Sequence, residues 1–180
     1  MSKITITEAL AEIKTIDKRL EKKRQFVLDY LVRQERIKDP LERDGGSVEA
    51  ITRERQSIAG LEERKVQVRR AVQVANEGTE LTVGKMTRAI ADWLVWRREV
   101  APDVQRFLQS MSVGIHNVRE DAKRKGLAVI TSGDIATNPA DVIVNVDERA
   151  LAESIEMLEE VLGGLDGQLS LKNATTYIEL

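Results

Sequence analysis

Two heptad patterns separated by a helix-breaking segment constrain the fold of this chain more than any other feature. Apolar residues recur at alternating spacings of three and four over residues 6–37 and again over residues 51–75. Such spacing places one apolar stripe along each helix, as in a coiled coil. Pro40 and the Asp-Gly-Gly turn at residues 44–46 break the helix between the two patterns. The sequence therefore predicts a long antiparallel coiled-coil hairpin over residues 5–76.

The register of this hairpin is predicted from its polar positions. If the helices fold back about residue 44, residues whose numbers add to 88 face each other, and six of eight layers then pair two apolar side chains. The polar residues coincide in the layers Gln34–Glu54 and Lys23–Lys65. In the Lys23–Lys65 layer, the stems can pack while the ammonium groups reach neighbouring carboxylates. Alternatively, this layer fixes the register or receives an acidic partner.

Two further helices are predicted over residues 83–125. Apolar residues at helical spacing run over residues 83–100 and again over residues 104–122. Pro102 suits the first turn of the second of these helices, because a backbone N–H has no helical partner there. Lysine and arginine at residues 123–125, followed by a glycine, predict the end of that helix.

A small β-ribbon is predicted near the C-terminal third, over residues 127–146. The runs LAVIT (127–131) and VIVNV (142–146) are rich in β-branched residues, and the segment SGDIATNPAD joins them. A two-stranded ribbon needs a helix to pack against. Asp147 follows in the chain and is predicted to cap the last helix.

Three glycines, Gly163, Gly164 and Gly167, interrupt the last helical pattern. Each glycine costs about 1 kcal/mol in a helix interior, whereas each buried leucine of the stripe contributes about 1.5–3 kcal/mol. We therefore expect the helix to continue to about Lys172. Gly163 and Gly167 lie on one helical face, where the missing side chains would let another backbone approach closely.

The last residues change from helical to alternating spacing. Asn173 is the predicted helix C-cap, and the segment TTYIEL alternates β-prone residues with a period of two. We expect Ile178 and Leu180 to fill an apolar groove, or to add a strand to the β-ribbon, in this chain or in a neighbour. Residues 147–180 are thus predicted as a C-terminal helix and tail.

Composition agrees with these patterns. Charged residues make up 32% of the 180 residues and aromatic residues 3%, which is typical of long amphipathic helices. The predicted fold is mainly α and forms a single domain over residues 1–180. It combines the long antiparallel coiled-coil hairpin with further helices and a small β-ribbon.

Several residues near the chain end form a pattern of a Leu-Asp pair, an asparagine, a Thr-Thr pair and a Glu-Leu pair: Leu165, Asp166, Asn173, Thr175, Thr176, Glu179 and Leu180. A weaker pattern leads into the third helix: Asn76, Thr79, Gly84 and Thr87. In these residues the chain resembles the septicolysin-like proteins, which are small helical proteins of bacteria and phages. Ala174 stands where that family usually has tryptophan, and Tyr177 and Ile178 are extra. The resemblance implies a divergent member of a helical family of unsettled function.

The sequence offers little for catalysis or metal binding. Its one histidine, His116, belongs to no recognised ligand spacing, and there is no cysteine. The acidic segment ESIEMLEE at residues 153–160 lacks the Glu-x-x-His signature of di-iron bundles and is typical of a solvated face. No phosphate-binding or nucleophile-elbow motif occurs. We expect no enzymatic activity and no catalytic, metal or cofactor-binding site.

Charge is distributed unevenly along the chain. The net charge is +4 over residues 1–76, +2 over residues 77–126 and −8 over residues 127–180. These opposite charges favour attraction within the chain or between copies. The apolar runs are too short to span a membrane, and the first residues lack a signal-peptide pattern. We expect a soluble protein of the cytoplasm or of a virion that is not secreted through a signal peptide.

The leading functional hypothesis is a non-enzymatic structural or assembly protein that associates with itself and with other proteins, such as a phage virion component. The alternative is a coiled-coil arm that binds RNA or DNA. Residues 33–55 carry six basic and six acidic side chains, so the tip of the arm does not favour nucleic acid. For Trp93 and Trp96, both core packing and a subunit contact are open. The residues expected at interaction surfaces are Trp93, Trp96, Gly163, Gly167, Asn173, Thr175, Thr176, Ile178 and Leu180.

Overall fold

The structure is a computed structural model that describes residues 3–131 and 138–180. The fold is mainly α with short strand pairs, as predicted. The helices are α1 (Ile6–Asp29), α2 (Ser47–Gly78), α3 (Ile90–Val95), α4 (Ala101–Lys125) and α5 (Glu148–Thr175). The strands are β1 (Lys3–Thr5), β2 (Glu80–Val83), β3 (Met86–Ala89), β4 (Val129–Thr131), β5 (Val142–Val144) and β6 (Tyr177–Glu179).

The chain divides into two compact units. The first comprises the residues up to Thr79 together with Ser170–Leu180, and the second comprises Glu80–Leu169. Each has its own apolar core, so each is described by itself. The single domain expected over residues 1–180 remains a prediction. Among the described residues, none of the helices has both the length and the apolar character that crossing a membrane requires.

In the first unit, α1 and α2 form the predicted antiparallel hairpin. The capping box is confirmed at the start of α1, where the Glu8 N–H donates to Thr5 Oγ1 (3.2 Å) and the Thr5 N–H donates to the Glu8 carboxylate (2.7 Å). Apolar residues of both helices share one core with the tail of the chain: Ile6, Ala9, Ile13, Val68, Val72 and Ile178.

Ion pairs between α1 and α2 show that the predicted register is wrong. Their N···O distances are 2.5–2.8 Å, and the pairs are Lys23–Glu54, Arg24–Glu62, Arg64–Glu12 and Lys65–Asp17. The paired residue numbers add to 77, 86, 76 and 82 respectively, so all fall below the expected 88 and centre near 80. The helices are therefore displaced by about one heptad, and the Gln34–Glu54 and Lys23–Lys65 layers do not form.

A heptad pattern cannot exclude this displacement, because a shift of seven residues keeps the same stripe facing the partner helix. The observed register gives each lysine of the expected Lys23–Lys65 layer its own carboxylate, Glu54 and Asp17. Two like charges in one layer would repel each other and lose hydration. Helix α1 also ends at Asp29, well before residue 37. The predicted layers that use residues 30, 34 and 37 therefore lack a helix on the α1 side.

Residues 30–46 form the tip of the hairpin, and Asp39 holds that tip to α2. Its carboxylate accepts hydrogen bonds from Ser47 Oγ (2.6 Å), the Ser47 N–H (2.9 Å) and the Leu41 N–H (2.9 Å). Because these bonds, above all that of the Ser47 hydroxyl, stabilise the ionised form, they lower the pKa of Asp39 to about 2. Gly45 adopts φ +96°, which suits the sharp turn into α2.

The second unit begins with a β-hairpin where a helix was predicted. Strands β2 and β3 pair antiparallel, with Val83 opposite Met86 and Gly84 in the connecting turn at φ +57°. Leu81 and Val83 point into the core, while the residues between and before them are exposed. The segment therefore has a period of two, and the glycine favours a two-residue turn over a continued helix.

The predicted pair of helices over residues 83–125 is instead one continuous helical stretch, formed by α3, a π-helical segment (Trp96–Val100) and α4. Pro102 lies in the first turn of α4, as predicted, but α4 follows the π-helical segment without a break. Pro102 lacks an N–H and crowds the carbonyl four residues earlier, and the wider π-helical turn directly before it relieves that conflict. The helix ends at Lys125, and Gly126 caps it with φ +69°.

The small β-ribbon is confirmed. Strands β4 and β5 pair in parallel, with Val129 opposite Val142 and Thr131 opposite Val144. Most of the predicted connecting loop, residues 132–137, lies outside the described residues.

Helix α5 continues through its glycines, as expected. Asp147 caps it by accepting hydrogen bonds from the N–H groups of Arg149 (2.9 Å) and Ala150 (3.2 Å). The helix passes Lys172 and ends at Thr175. Its apolar side completes the core of the second unit, which consists of Leu81, Val83, Ile90, Trp93, Val161, Leu165 and Leu169.

Candidate interaction surfaces

Trp93 is a core residue and not a subunit contact. Its side chain is 0% exposed, and its Nε1–H donates to the Leu81 carbonyl at 2.9 Å. Trp96 packs edge-on against it with ring centroids 5.5 Å apart and stays partly exposed. The Arg88 guanidinium lies 5.3 Å from the centre of the Trp93 ring. Of the two predicted contact residues, Trp96 alone reaches the surface.

Among the residues that the structure describes, no backbone approaches the predicted glycine face of α5. A Cβ added at Gly163 or Gly167 would meet no atom within 4 Å, whereas one at Gly164 would lie 3.4 Å from Val83 Cγ1. The close approach therefore occurs one position from Gly163, on the face that packs against strand β2. The expected approach at Gly163 and Gly167 is not found among the described residues.

The tail docks onto its own chain. Strand β6 pairs antiparallel with β1, with Ile178 opposite Ile4, and not with the residue 127–146 ribbon that was expected. Ile178 is 4% exposed in the core of the first unit, and Leu180 packs partly against it. Ile178 therefore fills an apolar groove of its own chain and does not add a strand to the residue 127–146 ribbon.

The two threonines serve this docking, whereas Asn173 has only a place in the helix before them. Asn173 lies inside α5 and is not its C-cap, because the helix runs two residues further. Thr175 Oγ1 donates to the Leu171 carbonyl (3.0 Å), and the Thr176 N–H donates to the Lys172 carbonyl (2.8 Å). The Ile6 N–H in turn donates to the Thr176 carbonyl at 3.0 Å, which fixes the tail at the start of α1.

The Leu-Asp pair of the chain ending also has a structural role. Leu165 is fully buried, and the Asp166 carboxylate pairs with the Arg97 guanidinium at 2.8 Å. Arg97 belongs to the π-helical segment, so the pair fastens that segment to α5 within the second unit.

The apolar side of α4 is the largest departure from the expected core. Only Ala101 and Ala122 of its 25 residues are buried. The apolar residues along one edge of the stretch are exposed or partly exposed, and we call them the α4 stripe: Val100, Val104, Phe107, Met111 and Val118. Phe107 is 64% exposed and Val104 is 38% exposed. Large contiguous exposed apolar surfaces are typical of interaction sites, so the α4 stripe is a candidate for one. The sequence pattern places these residues on one face, but burial of that face depends on what packs against it.

The end of α1 and the hairpin tip carry a second apolar surface. Leu28, Leu31, Val32 and Ile37 are all more than half exposed, and Val32 reaches 84%. The predicted helical layers had assigned Ile37 to the core. Pro40 disfavours helix only for the residue directly before it, so it does not mark the end of α1 at Asp29.

Helix α1 presents a basic face. The exposed side chains of Lys14, Lys18, Arg19 and Lys22 form no ion pair within the described residues. Three of them are spaced by four residues and so lie along one side of the helix.

His116 lies in a shallow groove between α4 and α5. The groove has a volume of about 310 Å³, and the polar groups that line it are Ser112, His116, Arg119 and Glu148. Arg119 and Glu148 form an ion pair with each other. Within the described residues, no hydrogen bond links Ser112 to His116, and no group of three potential metal ligands occurs. In the part of the chain that the structure describes, the groove therefore shows no nucleophile hydrogen-bonded to a base, the arrangement typical of covalent catalysis.

Comparisons with known proteins identify the fold. No protein-family model matches the sequence, and no curated protein matches it. A similar solved structure is the crystal structure of a functionally unknown conserved protein from Corynebacterium diphtheriae. The two share 16% sequence identity and a TM-score of 0.57, over 99% of this chain and 100% of that chain. This likeness shows a shared fold and transfers no activity.

Proposed function

We propose that this chain is a non-enzymatic protein that associates with itself and acts as a structural or assembly component. The exposed α4 stripe carries the proposal, because an amphipathic helix of 25 residues gains stability chiefly by covering its apolar face. A second copy or another protein of an assembly can provide that cover. A phage virion component is the concrete form of this proposal, and the resemblance of the chain ending to septicolysin-like proteins is its support.

Light scattering coupled to size-exclusion chromatography tests this proposal. We expect a defined oligomer whose dissociation increases with salt, because the −8 segment and the two basic segments attract each other between copies. A monomer at every concentration and salt level would contradict the proposal. Mass measurement of complexes isolated from the native source would then give copy number and partners together.

The second candidate function is a coiled-coil arm that binds RNA or DNA, and the unpaired basic face of α1 favours it. Lysines at this spacing can contact successive phosphates. Reversing Lys14, Lys18 and Lys22 to glutamate should then abolish a gain in mass on adding RNA. The matched control reverses lysines and arginines of α2 that already have carboxylate partners, such as Lys65 and Arg64.

A further inference from the structure

We propose that the outer side of α1 binds a single strand of RNA or DNA, with phosphates on its lysines and one base against Phe26 and Tyr30. This inference rests on the second candidate function, because it names the form of nucleic acid that the arm binds and the residues that hold it. Three features of α1 carry it: a row of lysines that continues into an aromatic pair, the unpaired charge of that row, and a groove beside the two rings.

The row keeps one spacing from the lysines to the aromatic rings. Five residues follow one another at intervals of four, and we call them the α1 ridge: Lys14, Lys18, Lys22, Phe26 and Tyr30. Residues four apart form a continuous ridge on the surface of a helix, so each member is the neighbour of the next. The ridge extends about 24 Å along the hairpin at 1.5 Å per residue. A strand that follows it passes from the cations onto the rings.

The lysines of the ridge are free to contact phosphates. All three are exposed, and none forms an ion pair or hydrogen bond within residues 3–131 and 138–180. Of the three carboxylates over residues 12–24, Glu12 and Asp17 pair with basic side chains of α2, and Glu21 is unpaired. The same stretch keeps four unpaired cations: Lys14, Lys18, Arg19 and Lys22. This excess of positive charge attracts a polyanion.

A groove lies beside the aromatic pair at the far end of the ridge. Its volume is about 570 Å³, and it is lined by Glu21, Lys22, Gln25, Phe26, Asp29 and Tyr30. The two rings are partly exposed, with centroids 4.7 Å apart and planes tilted by 47°. Proteins that bind single strands combine a positively charged track with aromatic rings on which bases stack. The ridge and its groove have both parts in sequence along one helix.

The polar groups of the groove favour a base over a second phosphate. Gln25 Nε2 donates to the Asp29 carboxylate at 2.6 Å, and the Glu21 carboxylate has no partner among the described residues. Carboxylates repel phosphates and acidic side chains, but they accept hydrogen bonds from the amino groups of bases. An acidic peptide could use the lysines alone, whereas a nucleic acid strand can use the lysines, the rings and the acceptors together.

The rings also favour a single strand over a duplex. Inside a duplex the bases stack on one another, so their faces cannot reach a side chain. In a single strand a base can turn outward and stack on a ring while the neighbouring phosphates stay on the lysines.

Fluorescence anisotropy with a labelled 12-nucleotide RNA strand tests the phosphate contacts. We expect binding at low salt that weakens as the salt concentration rises. Replacing Lys14, Lys18 and Lys22 together by glutamine should reduce the slope of log affinity against log salt by about 2, because each phosphate contact on a single strand contributes about 0.7.

The matched control neutralises three exposed and unpaired cations of α2, changing the net charge by the same amount: Arg55, Arg69 and Arg70. Replacing them by glutamine should leave most of the slope intact. An equal loss of slope in both triple variants would show diffuse attraction to the whole hairpin and would overturn the inference.

Substitution of the aromatic pair tests the base contact. Phe26→Leu combined with Tyr30→Leu should raise the dissociation constant at least about 5-fold without changing the salt slope, because stacking is lost while the phosphate contacts remain. Leucine keeps an apolar side chain at both positions, and circular dichroism should show the variant folded. Phe107→Leu is the matched control, since Phe107 is a 64% exposed ring on α4. It should keep the wild-type dissociation constant.

Two other ligands identify the occupant. A 12-base-pair duplex and polyglutamate should each bind more weakly than the single strand, and the aromatic substitutions should not affect their binding. Polyglutamate that binds as tightly as the single strand would show an acidic protein partner and overturn the inference.

The outcomes separate this inference from the second candidate function. If no single strand binds at low salt, both fail, and the proposed self-association is unaffected. If the lysine variant loses RNA binding and the aromatic variant keeps the wild-type dissociation constant, the arm binds nucleic acid and the base site is wrong.

Discussion

Removing the side chain of Ile178 should destabilise the first unit without any change in oligomeric state. Ile178 is 4% exposed and contacts the core that contains Ile6, Ile13 and Val68. Ile178→Ala deletes three carbon atoms, worth about 0.8 kcal/mol each in transfer free energy, and leaves a cavity that adds to this loss. If the tail undocks instead, the cavity closes and the ordering entropy of the tail is recovered, which limits the loss. We expect a decrease of about 2–4 kcal/mol in the free energy of unfolding.

Urea denaturation followed by circular dichroism measures this change. Tyr177→Ala is the matched control: Tyr177 is the neighbouring residue, lies on the same strand and is 66% exposed, so its replacement should change the free energy of unfolding by less than about 0.5 kcal/mol. Because the groove belongs to the same chain, the loss for Ile178→Ala should not depend on protein concentration. Equal effects of the two substitutions, or a loss that vanishes at high concentration, would refute the docking of the tail onto its own chain.

Three further predictions concern the hairpin and α5. In double-mutant cycles on the free energy of unfolding, substitutions of Lys23 and Lys65 should be additive. Substitutions of Lys23 and Glu54 should show a coupling of about 0.5–1 kcal/mol. Coupling between the two lysines would instead support the predicted register, in which paired residue numbers add to 88. Because the pKa of Asp39 is lowered to about 2 from an ordinary value near 3.8, its stabilising effect is complete above about pH 4 and is lost as the pH falls towards 2. Thermal melts should therefore show a smaller loss of melting temperature over this range for Asp39→Asn than for the wild type, and parallel curves would argue against the clamp. Gly163→Ala should raise the free energy of unfolding by up to about 1 kcal/mol, since the added Cβ meets open space in a helix interior; weaker self-association in the same variant would instead place a partner at that face.

Local features of this chain were predictable from the sequence because short-range interactions decide them. The Thr5–Glu8 capping box and the Asp147 cap each need only a side chain and a backbone N–H within one turn. The passage of α5 through its glycines was predictable because the energies of leucine burial and glycine entropy can be compared without knowing the partner. The period of two in the tail likewise indicated a strand.

The sequence also contained local signals against the expected pair of helices over residues 83–125. The turn at Gly84 and the alternation of Leu81 and Val83 identify a β-hairpin, and Pro102 inside a helical stretch accounts for the π-helical turn before it. These signals were present in the sequence, but the helical spacing of the neighbouring apolar residues masked them.

Only the tertiary structure decided which surfaces meet. A heptad repeat fits its partner equally well after a shift of seven residues, so the hairpin register was settled by which carboxylates reach Lys23 and Lys65. The tail could have joined any open strand or groove, and its pairing with β1 depends on where the start of α1 lies. Trp93 and Phe107 are both large aromatic residues on helices, yet one is fully buried and the other is 64% exposed. Burial of an apolar side chain is favourable wherever the side chain lies in the sequence. The packing of distant segments alone determines whether its own chain or a second molecule covers it.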